Sequence, residues 1–458
     1  MSLTIDKSTL IKYDIAGPRY TSYPTAPVWS KDVTQTDYIK KLKIFTMSEK
    51  TLSLYVHIPF CQSLCSFCAC NVIIRKNDPK YADEYLLYLF KEIDMVAGTI
   101  GHKKRVKQLH WGGGTPNFLN TEQMTRLFKK IQEKFDIDFQ GEVAIEIDPR
   151  TIDQEKINHL RQLGFNRVSM GIQDFSPIVQ ENINRRQPFG RVQKVYQWCR
   201  QMDFQSVNFD LIYGLPFQTR ESFSETIDKV IALKPDRVAL YSFAYVPWLK
   251  KHQTKIDPKN LPSNDTKIDL FLNSRERFEQ GGYQAIAMDH FALKGDELAK
   301  AFNSGELYRN FMGYTVKPAD EYIGLGLTSI GFIEGAYIQN HKVLSQYYQN
   351  LKEGKLPVER GKILSRDDSI RHWVINSLMC QFHIDKRRFH DLFHIEFDEY
   401  FYDEQAGIDD CARNDLIRVF PHRVEVTELG NIFIRNICMH FDYYLKQKNA
   451  HQRFSRTV

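Results

Sequence analysis

Between residues 51 and 243 the chain alternates short stretches in which apolar positions recur every second residue with longer ones in which they recur at helical spacing. Leu54, Val56 and Ile58 alternate with Tyr55 and His57, and Pro59 ends the run, as expected of a strand. This pattern predicts strands at 52–58, 106–111, 142–147, 167–172, 206–212 and 237–243. Helical patterns lie between them at 121–135, 153–163, 190–202 and 221–233. Six repeats of strand then helix imply a parallel sheet with right-handed crossovers. Six units fall short of a closed eightfold barrel, so the expected fold class is α/β, a partial (β/α)6 TIM-like barrel open on one side. A further strand is expected within 281–290, and 322–331 is a Gly-rich segment able to approach a ligand.

The flanks read differently. Prolines at 18, 24 and 27 forbid a helix there, so residues 1–50 are expected to form an extended N-terminal strap. The barrel with its extension is assigned to 51–348, and the polar stretch 349–361 reads as a linker. Ser365 and Asp368 can cap a helix with Ile370, Trp373, Val374 and Leu378 on its apolar face. Residues 362–458 are expected to form a smaller, mostly helical C-terminal domain.

Four of the eight cysteines crowd into 61–70, on the loop after the first strand. Three of them, Cys61, Cys65 and Cys68, have the spacing Cys-x3-Cys-x2-Cys. A structural zinc site usually takes two close pairs separated by a longer stretch, and no second pair follows. Three thiolates wrapped this tightly suit an iron-sulfur cluster with one iron left open for chemistry. Other polar and Gly-rich residues fall just after the strands, where barrel active sites are built. Gly112, Gly113 and Gly114 let backbone groups approach a ligand closely, and Glu146 faces away from Ile145 and Ile147, free to accept from ribose hydroxyls. Asp210, set among apolar residues, demands a ligand or a partner such as Arg185.

The cysteine spacing after a strand resembles that of radical S-adenosylmethionine (SAM) enzymes. The longer strings resemble one group of them, the oxygen-independent coproporphyrinogen III oxidases (dehydrogenases) of haem synthesis. They are YVHIPFC at 55–61, GPRYTSYPTA at 17–26, HWGGGTP at 110–116, IEIDPR at 145–150, RVSMGIQDF at 167–175, FDLIYGLP at 209–216, RNFMGYT at 309–315, RNICMHFD at 435–442 and FSRTV at 454–458. The resemblance implies a barrel of the radical SAM type and a 4Fe-4S cluster held by Cys61, Cys65 and Cys68, with Cys70 a non-ligand. It implies that Tyr55, Phe67, Gly113, Glu146 and Ile330 contact cluster-bound SAM, and that Gly114, Thr115, Gln173, Arg185, Asp210 and Ala244 hold a second SAM. Ala69 departs from the Gly that relatives often carry, with little expected consequence.

The strap is implied to lie over the active site, bringing Arg19, Tyr20 and Tyr23 towards substrate. The implied reaction is oxidative decarboxylation of two propionates of coproporphyrinogen III to vinyl groups, giving protoporphyrinogen IX. A 5'-deoxyadenosyl radical generated from SAM would start it, with electrons from a donor such as flavodoxin or ferredoxin and an electron acceptor that the resemblance does not name.

A chain of 458 residues, 42% hydrophobic, is long enough for two domains. Its opening MSLTIDKSTL lacks a signal-peptide pattern, and no run of about twenty apolar residues appears, so a soluble, cytoplasmic monomer is expected, with no membrane partner. The net charge of +6 is spread among acidic residues without a basic run, which argues against nucleic acid and suits an anionic small molecule such as a tetrapyrrole with four propionates. Two other classes compete. A haem-trafficking chaperone would keep the cluster motif, but such relatives lack the 17–26 leader and the Cys-x-Cys-Asn ending seen at 68–71. A radical SAM enzyme acting on RNA would need an appended nucleic-acid module, and none is visible.

Overall fold

The structure, a computed structural model, describes residues 7–316, 318–446, 454 and 456. The six expected strands form a continuous parallel series, β1 (Leu52–Ile58), β2 (Arg105–Gly113), β3 (Asp136–Ile147), β4 (Arg167–Gln173), β5 (Ser206–Tyr213) and β6 (Arg237–Ser242). Helices Thr121–Lys134, Gln154–Leu163, Phe189–Gln201 and Arg220–Leu233 follow the second to fifth strands, as their apolar periodicity requires. The sheet extends further than the six repeats. β7 (Tyr283–Ala287) and β8 (His290–Leu293) add antiparallel strands beyond β6. On the other side β9 (Glu321–Leu325) pairs parallel with β1, in register from Leu52 with Glu321 to Val56 with Leu325. Then β10 (Ile330–Ile333), β11 (Ala336–Asn340) and β12 (Val358–Ile363) complete twelve strands in one sheet.

Two helices add to the sequence reading. Pro79–Ile100 crosses over from β1 to β2, with Asp78 accepting from the Lys80 amide at its start and Gly101 in the left-handed conformation at its end. It buries Tyr85, Leu86, Leu89, Ile93 and Val96 on the barrel. Gln35–Thr46, inside the stretch expected to be an extended strap, buries Tyr38, Leu42 and Phe45 in the same core.

The stretch read as a linker is a correction. Residues 349–352 end the helix Leu344–Lys352, and 358–363 are edge strand β12, whose Gly361 exchanges backbone hydrogen bonds of 2.9 Å each way with Ser30. Polar side chains fit an edge strand with one wet face, so the composition of a linker and of such a strand coincide. Beyond it Ser365 caps the helix Arg366–Gln381, accepting from the Asp368 amide at 3.0 Å, and Ile370, Val374 and Leu378 are buried. Short helices and a three-stranded antiparallel sheet (His383–Asp385, Arg423–Val426, Ile417–Val419) complete this region.

Two cores result. One fills the barrel, and the other joins the C-terminal helices to Tyr13, Tyr20 and Tyr23 of the strap and to Ile286, Ala292 and Tyr314. The strap is therefore an interior layer between barrel and C-terminal region rather than a surface arm. The leader residues 1–6 and most of the string at 454–458 lie outside the described residues.

Candidate active site

At the C-terminal ends of the parallel strands lies a cavity of about 340 Å³. Cys61, Cys65, Phe67 and Cys68 of the loop after β1 line it, with Gly113, Gly114 and Thr115 after β2, Glu146 at the end of β3, Gln173 ending β4, Arg185, and Asp210 within β5. Three residues implicated by resemblance stand outside this lining. Tyr55 stacks on His110 at 5.9 Å and reaches His57 Nδ1 at 3.1 Å. The Ala244 carbonyl accepts from Gln253 Nε2 at 3.1 Å, and the same amide donates to the Phe67 carbonyl at 3.1 Å, tying the end of β6 to the cysteine loop. Ile330 opens β10 beside the Trp29, Tyr322 and Tyr337 cluster.

The electrostatics separate the three thiols. Cys65 is flanked by two guanidinium groups, Arg185 Nη1 at 3.7 Å and Arg150 Nη2 at 3.8 Å, and Asp148 bridges both arginines at 3.3 and 2.6 Å. Burial pushes the Cys61 thiol up to about 11, against a 3.3 Å contact with the Thr115 hydroxyl. Cys70 donates to Cys68, which brings Cys68 down to about 7 and pushes Cys70 up. Among the described residues no three His, Cys, Asp or Glu side chains gather around one metal ion. Cys61, Cys65 and Cys68 all line one cavity, which suits a cluster in which each thiolate takes its own iron.

Glu146 shows how β3 serves the site. Ile145 and Ile147 are buried, whereas the Glu146 side chain, 42% exposed, opens into the cavity. Burial opposes its charge, yet donation from His110 Nε2 and the Gly113 amide, both at 3.1 Å, holds its carboxyl below the usual range. The glycines have a packing role that the sequence reading missed. A Cβ on Gly112 would lie 2.7 Å from Glu146 Oε1, and one on Gly113, at φ +117°, would lie 2.7 Å from the His57 ring.

Asp210 differs from expectation. It accepts from Ser169 and Asn208, both at 2.8 Å, and Arg185 turns to Asp148 and the Gly171 carbonyl instead. Burial pushes its carboxyl up to about 6. Gln173 takes a left-handed φ of +68°, a conformation uncommon for a residue other than Gly.

Of Arg19, Tyr20 and Tyr23, Arg19 alone reaches the cavity wall. Its guanidinium sits 5.6 Å over the ring of Tyr241, a lining residue, and bonds the Ser242 carbonyl at 3.2 Å and Asp289 at 3.4 Å. Tyr20 and Tyr23 turn towards the C-terminal region, where the Tyr20 hydroxyl donates to Asp442 at 3.0 Å and the Tyr23 hydroxyl accepts from the Tyr443 amide at 3.1 Å. The roles of Asp148, Arg150, Tyr241 and His110 went unread, although an Asp-Pro-Arg directly after a strand carrying Glu146 was an available signal.

A loop of three cysteines over the strand ends of a parallel partial barrel defines the chain as a radical SAM protein, and residues 55–230 match the Radical SAM superfamily model. The oxygen-independent coproporphyrinogen III oxidase of Synechocystis is 44% identical over 98% of this chain and 97% of its own length, and that of Escherichia coli is 43% identical over 99% and 98%. The solved coproporphyrinogen III oxidase of E. coli, described as a radical SAM enzyme, superposes with a TM-score of 0.92 at 42% identity, covering 97% of this chain and all of that one. The chain belongs to the oxygen-independent coproporphyrinogen III oxidase family.

Proposed function

We propose that this chain converts two propionates of coproporphyrinogen III to vinyl groups by oxygen-independent oxidative decarboxylation, giving protoporphyrinogen IX in haem synthesis. The observation that carries this reading is the cavity in which Cys61, Cys65 and Cys68 meet Glu146, Gln173, Arg185 and Asp210, in a chain alike to the named oxidases from end to end. That likeness does not favour the haem chaperone. When bound, a 4Fe-4S cluster supplies the electron that cleaves SAM, and SAM supplies the group that takes hydrogen from the propionate carbon next to the ring.

The chain's own residues bind, orient and shield. Cys61, Cys65 and Cys68 would hold the cluster, with the guanidinium groups of Arg150 and Arg185 facing the Cys65 sulfur. Glu146, kept ionised and open to the cavity, accepts ribose hydroxyls, while Tyr55, Phe67, Gly113 and Ile330 shape the first SAM site. Gly114, Thr115, Gln173, Arg185, Asp210 and Ala244 provide for a second SAM. The strap excludes water from the cavity's upper edge. Arg19 there, and Arg309, which donates to the Arg19 carbonyl at 2.7 Å, put cations where substrate propionates would enter. No helix among the described residues is long and apolar enough to cross a membrane, and we read the protein as a cytoplasmic monomer.

The decisive experiment is an anaerobic assay of iron-reconstituted protein with coproporphyrinogen III, SAM, a reductant and cell extract as acceptor source, followed by mass spectrometry. SAM-dependent loss of two carboxyl masses, with 5'-deoxyadenosine formed, is expected. Tight haem binding without decarboxylation, in a sample with an intact cluster, would move the protein to the trafficking class. Asp210→Ala and Arg185→Ala are expected to lower turnover while iron content stays unchanged, and full turnover would remove them from the second SAM site.

A further inference from the structure

We propose that the exposed pair Trp248 and Leu249, beside the cysteine loop, is the docking centre for a small acidic one-electron carrier protein that reduces the cluster. The proposal rests on the cluster assignment above and adds to it where the electron enters.

The segment 244–256 follows β6 and is built onto the cysteine loop. Lys250 Nζ donates to the Cys70 carbonyl at 3.1 Å, His252 Nε2 to the Cys68 carbonyl at 2.7 Å and Gln253 Nε2 to the Phe67 carbonyl at 3.1 Å. Three nearby side chains thus hold three carbonyls of the loop that carries Cys68. The segment is itself ordered, because the Val246 amide donates to Gln253 Oε1 at 2.6 Å and the Leu249 and Lys250 amides both bond the Val246 carbonyl at 2.9 Å. Its inward residues Val246, Gln253 and Ile256 are buried.

Against that frame Trp248 and Leu249 stand 62% and 64% exposed. Single exposed apolar residues are ordinary, but an adjacent Trp–Leu pair fixed in an ordered turn is the composition of an interface centre. Two other exposed apolar residues stand on segments bonded to the loop. Ile74, 37% exposed, pairs in register with Cys61, and Ile178, 50% exposed, sits on the segment whose Ile183 carbonyl accepts from the Ser66 amide.

Exposed cations lie on the same segments. Arg75, Lys76, Lys251 and Lys255 are exposed, and Lys251 and Lys255 form no ion pair among the described residues. An apolar pair with exposed, unpaired lysines on its own segment is complementary to an acidic partner, whose approach they steer. The loop residues lying between, Gln62, Ser63, Ala69 and Cys70, are exposed, so a carrier seated here faces the loop that holds the cluster. The transfer balances simply. One electron leaves the carrier, which is oxidised by one, and the cluster is reduced by one, with no bond or proton moved.

The test uses the full chain with its cluster: calorimetry with oxidised flavodoxin measures binding, and stopped-flow absorbance with flavodoxin hydroquinone as one-electron donor measures cluster reduction. Trp248→Ala/Leu249→Ala and Lys251→Glu/Lys255→Glu are each expected to weaken flavodoxin binding at least about tenfold. Wild-type binding is expected to weaken with added salt, as screening requires. Reduction by dithionite, which needs no docking, should proceed at the wild-type rate in every variant. Unchanged flavodoxin binding and reduction in both variants, repeated with an acidic ferredoxin, would overturn the proposal. So would a wild-type dimer that Trp248→Ala/Leu249→Ala converts to monomer, which would give the surface to a second copy of the chain. Absence of decarboxylation by wild type under dithionite would instead count against the proposed function, because the binding measurement does not depend on turnover.

Discussion

At Cys65 two guanidinium groups approach one sulfur, at Cys68 the thiol and the backbone amide of Cys70 both donate, and at Cys61 a hydroxyl faces a thiol that burial keeps protonated. Metal ligation requires all three to lose their protons, so the site is assembled against burial at Cys61. Cys61→Ser, Cys65→Ser and Cys68→Ser should each abolish cluster absorbance after anaerobic reconstitution, while Cys70→Ser keeps it; a cluster that survives the first three or is lost in the last reverses the ligand assignment. Gly113→Ala tests the packing role of the glycine loop. Its Cβ would meet the His57 ring at a backbone angle that L residues avoid, so a stability loss of about 2 kcal/mol or more is expected, read from the denaturant midpoint. The cysteine spacing was legible because ligation constrains sequence distance directly. The acceptance of Ser169 and Asn208 by Asp210 was not, because it depends on the β4–β5 register that sets Ser169 opposite Asn208 and Gly171 opposite Asp210.

Among the elements the strap has the least regular structure and the most demanding anchorage. Arg435 donates to the Pro18 carbonyl at 2.8 Å, to the Gly17 carbonyl and to the Arg456 carbonyl at 3.2 Å, and burial followed by repulsion from Arg19 depresses its guanidinium to about 9. A buried cation held mainly by carbonyls is a costly arrangement whose removal leaves those carbonyls unpaired, at about 1–3 kcal/mol each. Arg435→Ala is therefore expected to release the strap: limited proteolysis should cut near residues 14–24 at least about tenfold faster, with iron content unchanged, and equal cleavage rates would show that the aromatic packing of Tyr13, Tyr20 and Tyr23 suffices alone. The prolines announced an extended segment here, but its burial was hidden, since Tyr, Ser and Thr are as common on surfaces as under them. The same ambiguity made the edge strand Val358–Ile363 read as a linker, whereas the six barrel strands, with apolar positions recurring every second residue and helical patterns between them, left little choice.

At the scale of the molecule the cavity depends on a brace that no motif announces. Glu92, on the helix Pro79–Ile100, is buried and accepts from the Gly326 amide at 2.8 Å, Asn340 Nδ2 at 2.6 Å and the Tyr347 hydroxyl at 2.5 Å. It thereby joins the crossover helix, the turn after β9, strand β11 and the helix Leu344–Lys352. Tyr85 completes the link, donating to the His57 carbonyl at 2.7 Å and accepting from the Leu327 amide at 2.9 Å. Burial pushes the Glu92 carboxyl up to about 7, against the pull of its three donors. A carboxyl raised in the folded state contributes stability that is fully present below its unfolded value and is lost as pH rises through the folded one. The window is therefore about pH 4.5 to 7, and the loss amounts to about 3 kcal/mol. Asp174, Asp210 and Asp442, each pushed by burial to about 6, act in the same direction, so wild type alone cannot isolate Glu92. Glu92→Gln can. Its amide carries a constant offset from facing donors with a donor, but it does not titrate, so its stability relative to wild type should rise by about 3 kcal/mol between pH 4.5 and pH 8 in urea titrations. Parallel profiles would mean that the three donors outweigh burial and keep Glu92 ionised throughout, making the brace a fixed anion whose strength is independent of pH.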